Sequence, residues 1–138
     1  MATTTIRGGD RAVAGLALGL GLFGLLNGAA MLGDPLGWYE RVPGVPATGP
    51  FNQHFVRDIG MTFALAGAAL LAGLRWRSQR AGLWSVAALW LMGHALFHLW
   101  EVAVGICGPD ALMRDFAGVS LPGLLASALA AHALRRAA

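Results

Sequence analysis

The sequence predicts an all-α integral membrane four-helix bundle, on three observations. The chain of 138 residues is 57% hydrophobic and 12% charged, with a mean hydropathy of +0.61, a composition too apolar for an ordinary soluble domain. Four apolar runs approach or exceed the roughly 20 residues that a helix needs to cross a bilayer. Arginines and acidic residues alternate between the connections. We therefore predict a single transmembrane domain over residues 1–138, with helices at about 12–32, 53–74, 81–104 and 116–135.

The distribution of charge predicts how the helices are oriented. All ten basic residues are arginine, and seven lie at the two ends of the chain or in the middle turn: Arg7, Arg11, Arg75, Arg77, Arg80, Arg135 and Arg136. The other two connections carry mainly Asp34, Glu40, Asp110 and Asp115. The positive-inside rule then places both termini in the cytoplasm of a multi-pass protein of the bacterial inner (cytoplasmic) membrane. No basic face with interleaved aromatic residues is present, which argues against a nucleic-acid partner.

The first helix is rich in glycine at a spacing typical of close helix contacts. Gly15 and Gly19 form one small-xxx-small pair and Gly24 and Gly28 a second, a pattern that allows two helices to approach closely in lipid. Asn27 is the only strongly polar residue inside this run. We expect it to form an interhelical hydrogen bond and to belong to a supporting polar network.

The connection 33–52 is predicted to be an ordered, proline-rich outer loop rather than a free tether. Four prolines exclude regular structure from much of it. It also carries Trp38, Tyr39 and Phe51, which we expect to form a lid on the outer end of the bundle. Trp38 and Tyr39 alternatively serve as anchors at the membrane interface.

The second helix opens with a polar cluster over 52–60. His54 and Asp58 are one turn apart, so they share a face, and Arg57 flanks them. Asn52 precedes them at the helix start. Beyond the cluster, small residues at every fourth position predict a ridge for tight packing: Gly60, Ala64, Ala68 and Ala72.

The third helix carries the most informative stretch of the chain. His94, His98 and Glu101 are spaced i, i+4, i+7 and so form one polar stripe in an apolar helix. Ionisable side chains at membrane depth are costly unless they pair, face a cavity or bind a ligand, so the stripe predicts a functional site.

The short turn 75–80 makes the second and third helices antiparallel neighbours and permits a depth estimate. Asp58 and His98 are each seventeen residues from the level of Arg75 and Ala81, about 25 Å along a helix. The two polar clusters are therefore predicted to meet at one depth in the outer half of the membrane. If the two faces meet and no metal is bound, the residues can form a polar network in which Arg57 pairs with Glu101 and Asp58 with His98.

The segment before the last helix allows two interpretations. Residues 111–118 form either a short interfacial helix with Asp110 as its N-cap or the first turns of the last helix. Pro122 lies two residues after Ser120, which favours a separate helix start at Ser120 because proline is common in the first turn.

One stretch carries a family resemblance. Residues 38–60 contain the pattern WY-x2-VPGV-x2-TGPFN-x-HF-x-RDIG. This pattern resembles that of small bacterial four-helix inner-membrane proteins of unknown function. The resemblance covers about a sixth of the chain. It implies that the outer loop and the start of the second helix form one structural unit, and it implies no activity.

Two functional hypotheses follow from the polar residues. In the first, His54, Asp58, His94, His98 and Glu101 bind a transition metal ion (Fe, Cu or Zn) or haem for redox or related chemistry, since imidazoles and carboxylates suit these metals. In the second, the same residues form a metal-free network with Asn27, Asn52 and Arg57. That network would bind a small polar or amphipathic ligand under the loop, shuttle protons, or lock a structural or accessory subunit together. The small-residue ridges suit a self-contained bundle, a homo-oligomer or a partner membrane subunit.

Overall fold

The computed structural model describes residues 8–137, within which all regular structure is helical. Its α-helices are α1 (Gly8–Gly33), α2 (Pro35–Arg41), α3 (Gln53–Arg75), α4 (Arg80–Ala103), α5 (Ala111–Asp115) and α6 (Leu121–Arg135). Four segments are long and apolar enough to cross a membrane: Gly9–Gly33, Gln53–Arg75, Arg77–Ala103 and Ala111–Arg135. The architecture is therefore that of a multi-pass helical membrane protein. Arg7, used above to predict the orientation, lies outside the described residues.

The long helices form two close pairs, α1 with α3 and α4 with α6. Contacts between α3 and α4 join the two pairs. Glycine makes the first pair possible. A Cβ added at Gly28 would lie 2.5 Å from the carbonyl oxygen of Gly60, and one added at Gly24 would lie 2.9 Å from that of Phe63. The Gly24/Gly28 pair thus packs as its spacing predicts. Gly15 and Gly19, in contrast, face open space within the described chain.

Polar contacts close one end of the bundle. This end carries the 3₁₀ turn Arg77–Gln79 and is here termed the turn end. The buried Trp84 donates its indole N–H to the carbonyl oxygen of Leu70 at 3.0 Å. Arg80 donates to the carbonyl oxygen of Gly73 at 2.8 Å, which ties α4 to α3. An ion pair of 2.8 Å between Asp10 and Arg136 joins α1 to the C-cap residue of α6.

The opposite end, here termed the loop end, is covered by α2 and by a 3₁₀ turn at Val45–Thr48. Asp34 is the N-cap of α2: its side chain accepts the backbone N–H of Gly37 at 3.0 Å and forms an ion pair with Arg41 at 2.8 Å. These two contacts, the first more than the second, lower the pKa of Asp34. Tyr39 donates its hydroxyl to the carbonyl oxygen of Gly49 at 2.6 Å, which folds the loop back on itself.

A separate helix start at Ser120 is not what the structure shows. α5 runs into α6 through a π turn at Phe116–Ser120, in which the N–H of Leu121 bonds to the carbonyl oxygen of Phe116. Ser120 is helical and its side chain caps nothing. The physical reason is Pro122, which supplies no N–H and would clash with the carbonyl group four residues earlier. A widened turn at that position removes the clash without ending the helix.

Candidate functional site

A cavity of about 960 Å³ lies at the loop end, between the two helix pairs. The pairs touch at the turn end and separate toward the loop end, and this separation creates the cavity. Asn27 and Met31 of α1 and Val56, Ile59 and Phe63 of α3 form one wall. The facing wall is formed by α4 with the start of the last membrane segment, and the loop Trp38–Asn52 covers the top.

Aromatic rings line the deepest part of the cavity. Trp90 and His94 are stacked with ring centroids 5.7 Å apart. Phe63 meets the His94 ring edge-on at 5.6 Å, and the Trp90 ring at 6.3 Å. Such stacked and edge-to-face contacts are the preferred geometries of aromatic pairs. They hold the imidazole of His94 in a defined orientation against α3.

A chain of polar contacts lines the wall above these rings. His98 lies 4.7 Å from His94 between ring centroids. Its Nδ1 atom lies 3.0 Å from Oδ2 of Asp115, and the other oxygen of Asp115 accepts Nε of Arg114 at 3.0 Å. Arg114 also pairs with Asp110 at 3.3 Å. His98 is therefore held by a carboxylate whose own position is held by an arginine, an arrangement that orients an imidazole for function.

Asp115 is the residue that sequence reasoning missed. It was assigned to an outward-facing acidic connection, but it lies within the last membrane segment, immediately before the π turn. A π turn adds one residue to a turn of the helix. The residues before it therefore point in a different direction from the one that a regular α-helix would give them. The signal in the sequence was Pro122, whose position within an apolar run predicts a distortion about one turn upstream.

The structure places the other predicted residues in different pairs from those expected. Asp58 pairs with His54 at 3.2 Å, and the His54 side chain is 88% exposed. Arg57 donates to the carbonyl oxygen of Leu32 at 3.2 Å. The predicted pairs Asp58 with His98 and Arg57 with Glu101 are therefore wrong. The two helices separate at this level, so each charged group bonds to a nearer partner.

The predicted depth relationship between α3 and α4 is nevertheless correct. Phe63 lies opposite His94, within two residues of the position expected from counting outward from the turn. The two polar clusters therefore do lie at a common level. What sequence counting does not reveal is the gap between them, which the cavity occupies.

Of the five predicted metal ligands, the structure brings together His94 and His98, with Glu101 on the same cavity wall. Within residues 8–137, no group of three or more His, Cys, Asp or Glu side chains is placed to hold a metal ion. His54 and Asp58 form their own pair on α3, outside the cavity lining.

Most of the predicted lid and supporting residues surround the cavity. Trp38 and Tyr39 line it, and Trp38 donates its indole N–H to Oδ1 of Asn27 at 2.9 Å. Asn52 lines it while its side chain caps α3 by accepting the N–H of Phe55 at 3.1 Å. Phe51 is absent from the lining but supports Tyr39, with ring centroids 5.4 Å apart.

The loop contacts the opposite wall of the cavity at Gly44. This residue has a left-handed backbone with φ of +87°, and an added Cβ would overlap the guanidinium group of Arg114. The absence of a side chain at Gly44 therefore lets the loop close onto α5. The contact links the cover of the cavity to the arginine that holds Asp115.

Replacing Gly44 with alanine is expected to destabilise the protein by about 2 kcal/mol, because a left-handed backbone alone costs alanine about 1 kcal/mol and the clash with Arg114 adds to it. Gly105→Ala is the matched control. Gly105 has a similar φ of +79°, but its added Cβ meets nothing within 4 Å. Denaturant unfolding in detergent should show a larger loss for Gly44→Ala, and equal losses would contradict the proposed contact.

The fold and the cavity together define a class: a small multi-pass helical membrane protein with a largely apolar cavity at one end that carries a few polar groups. Comparison with protein-family models, curated proteins and solved structures gave no match to this chain.

Proposed function

We propose that this protein binds an amphipathic small molecule that it takes from the lipid bilayer. The observation that carries the proposal is the 960 Å³ cavity, which combines apolar and aromatic walls with a few convergent polar groups. Ligand sites in proteins typically have this character and a volume of about 300–1,000 Å³. Ionisable groups at membrane depth that face a cavity are typical of such sites.

The route of entry follows from exposure on α3 and α4. Phe55, Leu89 and Phe97 all line the cavity, yet they are 61%, 75% and 51% exposed. The cavity is therefore open between the two helices. In a membrane, this opening would face lipid. An apolar chain would lie in this gap while a polar head reached His98 and Asp115.

We further propose that the loop end faces away from the cytoplasm of a bacterial inner membrane. Six arginines among the described residues cluster at or near the turn end: Arg11, Arg75, Arg77, Arg80, Arg135 and Arg136. The positive-inside rule favours the cytoplasm for this end. The cavity would then take its ligand from the outer leaflet. A transition metal or haem as the bound group stays a prediction, which metal analysis and an optical spectrum of the purified protein would test.

Obstructing the cavity should weaken ligand binding without unfolding the protein. Gly93 lines the cavity, and an added Cβ there meets nothing within 4 Å, so Gly93→Leu is expected to project into the cavity without a clash. Gly82→Leu is the matched control, since Gly82 lies on the same helix in equally open space but outside the cavity. Mass spectrometry of molecules bound to protein purified from native membranes is the measurement.

We expect wild type and Gly82→Leu to carry the same amphipathic molecule at close to one copy per chain. Gly93→Leu should lose most of it, because the leucine side chain would project beside Trp90 and Phe97, which lie one turn to either side of it and line the same cavity. Equal retention in all three proteins would show general lipid adhesion and contradict the proposal. A wild type with nothing bound would favour a structural or accessory subunit instead.

A further inference from the structure

The contacts of His98 define which of its nitrogen atoms carries the proton. One oxygen of Asp115 accepts a hydrogen bond from Nε of Arg114, and the other lies 3.0 Å from Nδ1 of His98. An ionised carboxylate can only accept, so Nδ1 of His98 must be the donor. In the neutral imidazole, Nε2 then carries no proton and acts as a hydrogen-bond acceptor.

This acceptor is available to a ligand. Nε2 of His98 has no hydrogen-bond partner among residues 8–137, and the His98 side chain lines the cavity while remaining 26% exposed. A ligand that fills the cavity would displace water from this acceptor, and the acceptor would then be left unpaired unless the ligand supplied a donor. The polar group that the cavity receives at this position should therefore be an O–H or N–H donor.

The surfaces beside Nε2 indicate the shape of the group that carries this donor. The stacked pair of Trp90 and His94 and the edge of Phe63 form an aromatic surface one helical turn from His98. Aromatic side chains favour flat rings in stacked or edge-to-face contact. The lateral gap beside Phe55 and Phe97 suits an apolar substituent on that ring.

We propose that the ligand is a lipid-soluble phenol, an aromatic ring with an apolar tail, whose hydroxyl group donates a hydrogen bond to Nε2 of His98. This inference rests on the proposed function of the cavity and specifies its ligand class. Asp115 is a positioning residue: it acts through His98 by holding the tautomer that presents an acceptor to the ring hydroxyl.

The test compares two probes of nearly equal shape, 4-hexylphenol and its methyl ether 4-hexylanisole. Only the phenol can donate. Binding is measured by titration calorimetry on protein in lipid nanodiscs at about pH 8.5, with empty nanodiscs as the blank for partitioning. We expect wild type to bind the phenol at least about tenfold more tightly than the ether, because the ether leaves Nε2 unpaired.

Asp115→Asn should remove this preference by reversing the hydrogen bond. The amide of asparagine can donate to Nδ1, which moves the imidazole proton to Nε2 and converts it into a donor that both probes can satisfy. The ratio of the two affinities should then fall to about one. His98→Phe keeps an aromatic ring but has no acceptor, so its ratio of the two affinities should also be about one. This variant provides the test if Asp115→Asn fails to fold. Asp58→Asn is the matched control, since Asp58 also pairs with a histidine but outside the cavity, and it should keep the wild-type preference.

The outcomes separate this inference from the proposed function. If wild type binds both probes equally, and Gly93→Leu weakens both, the cavity binds amphipaths but the phenol assignment is wrong. If Gly93→Leu leaves the binding of both probes unchanged, the proposed function and this inference are both wrong. A phenol preference that survives in both Asp115→Asn and His98→Phe would overturn the role assigned to His98.

Discussion

Replacing Gly67 with alanine is expected to destabilise the protein by about 1–3 kcal/mol, the usual cost of overpacking a close contact. The added Cβ would lie 2.6 Å from the carbonyl oxygen of Gly21 and 2.7 Å from the amide nitrogen of Leu25. Both are backbone atoms of α1, so no side chain can move aside to relieve the clash. The two helices would have to separate along their closest contact.

The sign of this effect makes the prediction informative. Glycine to alanine inside a helix is ordinarily stabilising, by up to about 1 kcal/mol. Gly19→Ala on α1 is the control, because its added Cβ meets nothing within 4 Å, and it should be neutral or stabilising. Unfolding in a titration with denaturing detergent, followed by tryptophan fluorescence, gives both values. A Gly67→Ala protein at least as stable as Gly19→Ala would contradict the described packing of α1 on α3.

Replacing Asp115 with leucine should cost about 1–3 kcal/mol, because it leaves a partly buried histidine and arginine without their shared acceptor. The Asp115 side chain is 15% exposed and that of His98 26% exposed, which limits the compensation that water can supply. The same titration measures the loss. His98→Leu added to Asp115→Leu should recover part of it, since the unpaired imidazole is then gone.

Asp58→Leu provides the comparison at a solvated pair. Asp58 also bonds a histidine, but the two side chains are 48% and 88% exposed, and exposed ion pairs contribute at most about 1 kcal/mol. We expect a change of no more than about 0.5 kcal/mol. Similar losses for Asp58→Leu and Asp115→Leu would argue that the polar chain at the cavity contributes nothing beyond an ordinary surface pair.

The family resemblance and the metal or haem hypothesis remain predictions. The pattern over residues 38–60 coincides in the structure with α2, the 3₁₀ turn and the start of α3, which together cover the cavity. The residues named as metal ligands divide between two places: His94, His98 and Glu101 at the cavity, and His54 with Asp58 outside its lining.

The sequence by itself determined the membrane-spanning helical architecture, because apolar runs of bilayer length have few other stable structures in lipid. It also determined the register of α3 against α4, since a short turn and a constant helical rise leave little freedom. The close approach of α1 and α3 at Gly24 and Gly28 followed from local spacing in the same way.

Only the tertiary structure decided which polar groups meet. Counting along helices gives depth but not the angle at which two helix pairs diverge, so it could not reveal the cavity between α3 and α4. Nor could it pair His98 with Asp115, because that contact depends on the π turn before Pro122 and on the packing of α6 against α4. Helix rotation and divergence are set by the sum of many side-chain contacts, and no single segment of the sequence contains that information.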